Sequence, residues 1–416
     1  QAKKLLSSKQ LDTFRRGGTL IQEDDIKAEK GAYFLHEEIS LSAKEEKSWL
    51  IAADVNQSIS DIIDIKEKLK SKEDLLDQIN KDIEAGSMHL LELVGAADGL
   101  RLSAHRPRNI RHFSNTMFNI MRGGIFDYNY QIGKTDFLDY LAKANKNVFA
   151  EKKALLDNLS EVFDLSDLRQ VAENESDGDF KRLCAEYLPL MFSRRHGDPS
   201  RPWNQFSINT KSEVDGSKIL DYQGNWRDIF QNWEALAYSY PEFIEGMIHK
   251  FLNATTFDGY NPYRVTKDGF DWETIEPGNP WAYIGYWGDH QIIYLLKFLE
   301  FIENYYPNKL AESFSKNLFV YANVPYLIKD YEDLLENPKD TIVYDYENEA
   351  RIQAQRAKIG ADGALLTDVN DQIYKVNFIE KVLATVLAKM SNFIPEGGIW
   401  MNTQRPEWND ANNALV

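Results

Sequence analysis

The sequence predicts a mainly α-helical protein, a helical toroid that follows a short β region and a helical linker. Apolar residues recur every three to four positions through most of the chain after Ala104, which is the spacing of amphipathic helices. Long loops rich in glycine, proline, asparagine and aromatic residues separate these helices, and residues 31–55 carry the clearest strand signals. These three observations predict the fold class and the order of its parts.

The β region comprises residues 1–55. Gly31–Glu37 and Lys47–Ala53 are short apolar and aromatic runs separated by a polar turn, the pattern of two strands. Because two strands alone do not form a stable sheet, we expect them to end an N-terminal β-sandwich domain whose earlier strands precede Gln1. The sequence is therefore expected to be part of a longer protein.

The helical linker comprises residues 56–104. Isoleucine and leucine recur at helical spacing from Ile59 to Ile83, among lysine, glutamate and aspartate, so we expect one or two amphipathic helices there. Asn56 or Ser58 is placed to cap the first of them.

The toroid comprises residues 105–416, with its C-terminal part expected beyond the sequence. Its predicted helices are Thr135–Leu165, Phe180–Phe192, Trp226–Leu252, Asp289–Tyr306 and Val376–Met390. The intervening loops 196–225, 255–288 and 394–413 are long, and loops of that length inside a domain usually carry function. We therefore expect a site at the mouth of the toroid, where the loops gather.

The amino-acid composition argues against several classes of partner and of site. The 416 residues include 65 acidic and 48 basic side chains, a net charge of −17, which argues against nucleic acid and anionic membranes because phosphate groups attract clustered lysine and arginine. No apolar run approaches the ~20 residues of a transmembrane helix. The single cysteine, Cys184, excludes a disulfide framework and a multi-cysteine zinc site.

Tryptophan is concentrated in the loops of the toroid. Eight of the nine tryptophans lie between Trp203 and Trp408. Those in or beside loops are Trp203, Trp272, Trp281, Trp287, Trp400 and Trp408. Any one ring could simply plug a loop onto a helix. Together they favour a sugar site, because pyranose faces stack on aromatic rings and sugar hydroxyls bind the neighbouring carboxylates, amides and guanidinium groups.

The most distinctive motif is Trp408-Asn-Asp-Ala-Asn-Asn413, in a polar and aromatic stretch that has little to favour packing. It resembles the Trp-Asn-Asp-Gly-x-Asn segment of the cellobiose and chitobiose phosphorylase family, with Ala411 where that family usually has glycine. Residues 226–228 with Gln231 resemble the family's Arg-Asp-x-x-Gln helix start, and residues 289–290 resemble its Asp-Asp-His stretch. The order of the three motifs also agrees, and the resemblance, over residues 30–416, implies an (α/α)₆ toroid, an architecture shared with related glycosidases.

The resemblance implies roles for individual residues. Asp410 would be the general acid that protonates the glycosidic oxygen as the bond breaks, and Arg227 and Asp228 would hold hydroxyls of the sugar on the non-reducing side. The other residues that would line or border this subsite are Trp226, Trp287, Asp289, His290, Trp408 and Asn409. An aspartate that acts as an acid near neutral pH needs a raised pKa, which a tryptophan-lined loop would provide.

Two departures bear on the substrate and the reaction. The arginine that the family carries shortly before its Arg-Asp pair is missing; Asp221 and Gln223 stand near that place, and the arginines of residues 194–201 could replace it. The family's phosphate-binding residues follow the Trp-Asn-Asp motif, so we expect them beyond Val416.

The favoured function is cleavage of a β-linked glucan or oligosaccharide by an inverting mechanism, with hydrolysis placed ahead of phosphorolysis. An inverting hydrolase needs a second carboxylate roughly 6.5–9.5 Å from the acid to activate water. The candidates are Glu234, Glu273, Glu276 and Glu407. A phosphorylase needs no such base, because phosphate is the nucleophile. A non-catalytic carbohydrate-binding protein on the same fold is the alternative from another class.

We expect an oligosaccharide or glucan as partner, no nucleic acid, no membrane and, as one option, a homodimer. No cofactor is expected, and inorganic phosphate would be a co-substrate only for a phosphorylase. No metal site is predicted, because the histidines are scattered and Asp198, Asp258 and Asp268 form no calcium ligand ladder. The compartment stays open, although phosphorolysis would favour the cytoplasm.

Overall fold

The computed structural model describes residues 2–53, 57–71, 75–97, 99–126, 128–191, 212, 217, 219–279, 282, 284–286, 291–391, 393–396 and 398–399. The chain divides into two compact units, Gln1–Asn80 and Lys81–Val416. Helices supply most of the regular structure, so the predicted mainly α fold class is confirmed.

The first unit contains a two-stranded antiparallel sheet. Strand β1 (Lys3–Ser7) pairs with β2 (Gly31–His36), and a short helix, α1 (Leu11–Arg15), lies between them in sequence. The carboxylate of Glu23 accepts hydrogen bonds from the amides of Leu6 (2.7 Å) and Ser7 (2.8 Å), which fixes the end of β1. The prediction of a strand at Gly31–Glu37 is confirmed by β2.

The second predicted strand, Lys47–Ala53, is wrong. Residues 47–53 are described and form no strand, and Trp49, Leu50 and Ile51 are exposed. The partner of β2 is β1 instead. A strand exists only where a neighbour satisfies its backbone groups, and the composition of a segment does not reveal whether such a neighbour is within reach.

Two helices occupy the predicted linker, α2 (Ile59–Ser71) and α3 (Leu75–Ala96). Ser58 caps α2: the amide of Asp61 donates to Ser58 Oγ (3.3 Å), and the amide of Ser58 donates to Asp61 Oδ2 (2.8 Å). This reciprocal pair is the capping-box arrangement, and it confirms Ser58 as the start signal.

The rest of the described chain consists of helices joined by short strands. The helices are α4 (Arg106–Gly123), α5 (Lys134–Ala144), α6 (Lys146–Glu151), α7 (Lys153–Asp157), α8 (Leu165–Asn174), α9 (Gly178–Glu186), α10 (Trp226–Ala237), α11 (Ile244–Asn253), α12 (Gln291–Tyr305), α13 (Lys309–Ser313), α14 (Tyr331–Glu336), α15 (Tyr346–Ile359) and α16 (Phe378–Ser391), with 3₁₀ turns at Pro241–Phe243 and Ala361–Ala364. The strands are β3 (Gln131–Gly133), β4 (Val162–Asp164), β5 (Gln223–Asn225), β6 (Arg264–Thr266), β7 (Phe270–Asp271), β8 (Phe319–Val320), β9 (Tyr326–Ile328), β10 (Ile342–Tyr344), β11 (Lys375–Val376), β12 (Phe393–Ile394) and β13 (Gly398–Ile399). In this part of the chain no helix combines the length and the apolar character that a membrane span requires.

Two of the predicted helices are interrupted. The segment Trp226–Leu252 forms α10 and α11, because Pro241 opens a 3₁₀ turn between them. The segment Thr135–Leu165 forms α5, α6 and α7 and then β4. Asn145 ends α5 and caps α6, since its side-chain oxygen accepts from the amides of Asn147 and Val148, both at 3.1 Å. Apolar spacing alone does not reveal such a cap.

Helices α10 and α11 supply the centre of the core. Helix α10 packs against α4 and α12, and α11 packs against α9 and α12. The ring of Phe230 lies 5.4 Å from that of Trp226, 5.2 Å from Trp233 and 4.7 Å from Phe251, measured between centroids. All four side chains are fully buried, and edge-to-face aromatic packing of this kind favours a fixed arrangement of the helices.

A three-stranded antiparallel sheet leads directly into α10. Strand β5 pairs with β6, and β6 pairs with β7. The amide of Trp226 donates to the carbonyl of Tyr263 at 3.1 Å, so the β5–β6 ladder continues into the first residue of the helix. The start of α10 is therefore held by the β6–β7 hairpin.

Candidate functional site

Most of the predicted site lies outside the described residues. Those not described are Trp287, Asp289, His290, Trp408, Asn409 and Asp410, together with Glu407, Asp198, the arginines of residues 194–201, and Trp203, Trp281 and Trp400. The backbone of Arg227 and Asp228 is described, but their side chains are not. The roles assigned to all these residues stay predictions.

The predicted helix start at residues 226–228 is confirmed. Helix α10 begins at Trp226, directly after β5, so Arg227 and Asp228 occupy its first turn. Amides in the first turn of a helix have no intrahelical partners, and they carry partial positive charge. The β6–β7 hairpin that holds this turn was not among the predicted site residues, and the structure describes it in full.

Trp226 itself is core. Its side chain is 1% exposed, and its ring packs against Phe230 and Phe251. A ring enclosed in this way has no free face for a sugar. The burial of Trp226 therefore contradicts the prediction that it contacts the substrate. The indole Nε1 has no hydrogen-bond partner among the described residues.

Trp272 also packs rather than presenting a free face. It follows β7 and is 5% exposed, with the guanidinium of Arg356 4.5 Å from the ring centroid. Arg356 Nη2 donates to the carbonyl of Phe270 at 2.9 Å, which secures the hairpin to α15. Trp272 thus fits the simpler alternative, a ring that plugs a loop onto a helix.

A buried network of charged side chains joins four parts of the second unit, and the sequence did not predict it. Arg182 in α9 donates through Nη2 to Asp362 Oδ2 (2.5 Å) and through Nη1 to Glu186 Oε1 (3.1 Å). Asn145 Nδ2 donates to the same oxygen of Asp362 (2.8 Å), and Asn253 Nδ2 donates to Glu186 Oε1 (2.6 Å). One sequence signal was the Arg182–Glu186 spacing on a predicted helix, which is also typical of a surface pair.

The network shifts the titration of its members in opposite directions. Burial raises the pKa of Asp362, and the charge of Arg182 only partly opposes this shift. Burial would also raise the pKa of Glu186, but the charges of Arg182 and Lys250 lower it below its ordinary value. Glu186 is therefore the firmly charged partner of Arg182.

Lys250 extends this network to the β6–β7 hairpin. Its ammonium donates to the carbonyl of Lys267 at 2.6 Å and lies 3.4 Å from the carbonyl of Thr266. Asp268, next to these carbonyls, borders a cavity of about 20 Å³ together with Arg182, Glu186, Lys250, Asn253 and Asp362. That volume is enough for about one water molecule, so the cavity is too small for a sugar.

A larger open groove lies against α16. It has a volume of about 750 Å³, and its polar side chains include Asp258 and Glu380, while Phe257 and Leu383 are among its apolar ones. Burial raises the pKa of Asp258. The wall formed by α16 is mostly aliphatic and offers little to sugar hydroxyls. Among the described residues, no group of three or more histidine, cysteine, aspartate or glutamate side chains is arranged to hold a metal ion.

Two of the three described candidates for a hydrolytic base bind other side chains through their carboxylates. Glu234 binds Lys297 at 2.7 Å on the outer part of α10, and Glu276 is exposed and accepts from Asn279 at 2.8 Å. In Glu273 the backbone carbonyl accepts from Tyr326 Oη at 2.5 Å, a contact that does not involve the carboxylate, so its role as a base stays a prediction. None of the three lies in the β6–β7 hairpin.

Residues 126–189 match the family model of glycoside hydrolase family 149 insertion domain 1. No curated protein matches the chain. The match bears out the prediction that the protein is an enzyme, a glycoside hydrolase or a glycoside phosphorylase. The matched segment runs from before β3 to the residues after α9, so it supplies Asn145, Arg182 and Glu186 of the buried network.

Proposed function

We propose that the enzyme cleaves a β-linked glucan or oligosaccharide by phosphorolysis, with inversion at the anomeric carbon. The observation that carries the proposal is the match of residues 126–189, because family 149 is a phosphorylase family. The Trp-Asn-Asp motif of residues 408–410 supports the same reaction, since it resembles that of another phosphorylase family. For this reason the proposal puts phosphorolysis ahead of hydrolysis, the reverse of the order favoured by the sequence alone.

The chemistry requires one acid and one nucleophile. An oxygen of inorganic phosphate attacks the anomeric carbon while the glycosidic C–O bond breaks, and Asp410 gives its proton to the departing oxygen. The products are an α-sugar 1-phosphate and a shortened saccharide. An acid in this role contributes typically about 10²–10⁴-fold to the rate, and it must be protonated when substrate arrives.

In this proposal the start of α10 holds the sugar whose bond is cleaved. Arg227 and Asp228 offer a guanidinium and a carboxylate, which bind adjacent sugar hydroxyls in fixed geometry. The described sheet supports this role, because β5 and β6 fix the backbone of the first turn. Trp287, Asp289, His290, Trp408 and Asn409 complete the subsite in the proposal.

The test compares the full-length enzyme with its Asp410→Asn variant on β-linked gluco-oligosaccharides, with and without inorganic phosphate. We expect α-sugar 1-phosphate only when phosphate is present, and a fall of about 10²–10⁴-fold in the variant. The matched control is Asp157→Asn, since Asp157 is an exposed carboxylate in α7 and this change should leave the rate unaltered.

Other results would assign a different function. Free reducing sugar that forms equally without phosphate would make the enzyme a hydrolase and send the search to a second carboxylate. Full activity in Asp410→Asn would refute the proposed acid. Binding of oligosaccharides without any product would favour the carbohydrate-binding alternative.

A further inference from the structure

The β5–β6 ladder is continued at its far end by Lys267. The amide of Lys267 donates to the carbonyl of Tyr222 at 3.1 Å, and the amide of Trp226 donates to the carbonyl of Tyr263 at 3.1 Å. Residues 222–226 are therefore tied along their whole length to residues 263–267. We call residues 222–226 the strip, and they lead directly into the first turn of α10.

The side chain of Lys267 ties down the residues that come before the strip. Its ammonium donates to the carbonyl of Leu220 at 2.7 Å and to Asp136 Oδ1 at 2.6 Å. The lysine side chain is 8% exposed, so water contributes little to its solvation and these partners fix its position. Lys267 thus holds the strip through its backbone amide, which binds Tyr222, and holds the preceding residues through its ammonium, which binds Leu220.

Asp136 brings the matched segment to this place. It lies in the first turn of α5, and its other oxygen accepts from Tyr187 Oη at 2.5 Å. Tyr187 follows α9 and is buried. Both oxygens of the carboxylate are therefore engaged, and Asp136 and Tyr187 together determine where the ammonium of Lys267 can lie.

We propose that Lys267, held by Asp136, is a positioning residue that sets the first turn of α10 for sugar binding. The proposal gives the segment 126–189 a task in the enzyme, which is to anchor the strand that delivers Arg227 and Asp228. It rests on the proposed function for the identity of the ligand. The hydrogen bonds between residues 222–226 and 263–267 do not depend on the identity of the ligand.

The kinetic test uses Lys267→Met, which keeps the length of the side chain and removes its charge. We expect KM for the oligosaccharide to rise by about ten- to a hundredfold, since small displacements of binding groups have effects of that size, while KM for phosphate stays unchanged. Asp136→Asn should act in the same direction with a smaller effect, and Lys267→Arg should restore part of the affinity.

The matched control is Lys375→Met. Lys375 in β11 binds Asp179 of α9 at 2.7 Å, so this pair also joins the matched segment to the remaining chain, but it does not touch residues 219–226. A purely structural role for Lys267 predicts that both variants lose thermal stability and that neither changes KM. That outcome would overturn the proposal.

A second measurement separates this proposal from the proposed reaction. Amide hydrogen exchange in the peptide covering residues 219–226 should accelerate in Lys267→Met and stay at the wild-type rate in Lys375→Met. Unchanged exchange in Lys267→Met would refute the positioning role whatever the activity. Accelerated exchange in an enzyme that forms no sugar phosphate would support the positioning role and refute phosphorolysis.

Discussion

Arg182 Nη2 lies 2.5 Å from Asp362 Oδ2, although 180 positions separate the two residues in sequence. The side chains are 2% and 6% exposed, so the pair is shielded from solvent on both sides. Removing one member of a buried ion pair is strongly destabilising, because the charge that remains is buried and poorly compensated. The pair therefore links α9 to the 3₁₀ turn at Ala361–Ala364, and both charges are needed for that link.

Replacing Arg182 by methionine should lower the free energy of unfolding by about 3–5 kcal/mol. The change leaves Glu186 and Asp362 buried without their shared cation. Urea denaturation followed by tryptophan fluorescence measures the loss. The control is Lys143→Met, which removes an exposed i,i+4 pair with Asp139 and should cost less than about 1 kcal/mol. Equal losses in the two variants would contradict a special role for burial.

The sequence predicted some of the helices and missed the buried network, for the same physical reason. Helical spacing is local, so α12, α16 and the start of α10 could be placed from their own residues. The partners of Arg182 depend on how distant segments meet, and spacing carries no such information. Lys250 did offer a signal, because it stands in α11 between Ile248 and Phe251, among apolar neighbours.

The candidate site shows the same division between local and distant information. The start of α10 at residues 226–228 was predicted because the motif is contiguous. The role of Lys267 was not predicted, since it depends on contacts with Leu220 and Asp136 that only the folded chain brings together.

His249 should make stability depend on pH. Burial lowers its pKa from 6.5, against the opposing charges of Glu245 and Glu186, so the folded chain keeps the ring neutral while the unfolded chain protonates it. As the pH decreases below about 6.5, the unfolded state binds more protons at this residue than the folded state does. The free energy of unfolding therefore decreases, by up to about 1.4 kcal/mol per pH unit for this group.

The variant His249→Phe tests this expectation, because it keeps an aromatic ring on Phe319, whose centroid lies 4.4 Å from that of the imidazole. Urea midpoints at pH 7, 6 and 5 should fall less steeply in the variant than in the wild type. The exposed His89→Gln change should leave the slope as it is. If the urea midpoint changed with pH to the same extent in all three proteins, groups other than His249 would be responsible for the loss of stability at low pH.

Gly259 should not tolerate a side chain. Its φ is +78°, and a Cβ there would overlap the backbone of Ala384 in α16. Gly259→Ala should therefore lower the free energy of unfolding by more than about 2 kcal/mol. Gly278 has φ +84° but open space around its Cβ position, so Gly278→Ala reports backbone strain alone. A cost at Gly259 no larger than that at Gly278 would mean that the residues 256–260 do not pack closely on α16.

Trp226 and Trp408 should respond in opposite ways to replacement by phenylalanine. Trp226, Phe230 and Trp233 follow one another at positions i, i+4 and i+7, the spacing of a core face, and the structure buries all three. Trp226→Phe should therefore lower the free energy of unfolding by about 1–3 kcal/mol and leave KM for the oligosaccharide unchanged.

Trp408→Phe should do the reverse, because the proposed function gives its ring a sugar to stack on. We expect KM for the oligosaccharide to rise about three- to tenfold, with KM for phosphate and the urea midpoint unaffected. Steady-state kinetics and urea denaturation on the same preparations measure both quantities. A raised KM in Trp226→Phe at unchanged stability would return Trp226 to the sugar subsite, and an unchanged KM in Trp408→Phe would remove Trp408 from it. The two substitutions together therefore distinguish the tryptophan that supports α10 from the one that contacts the substrate.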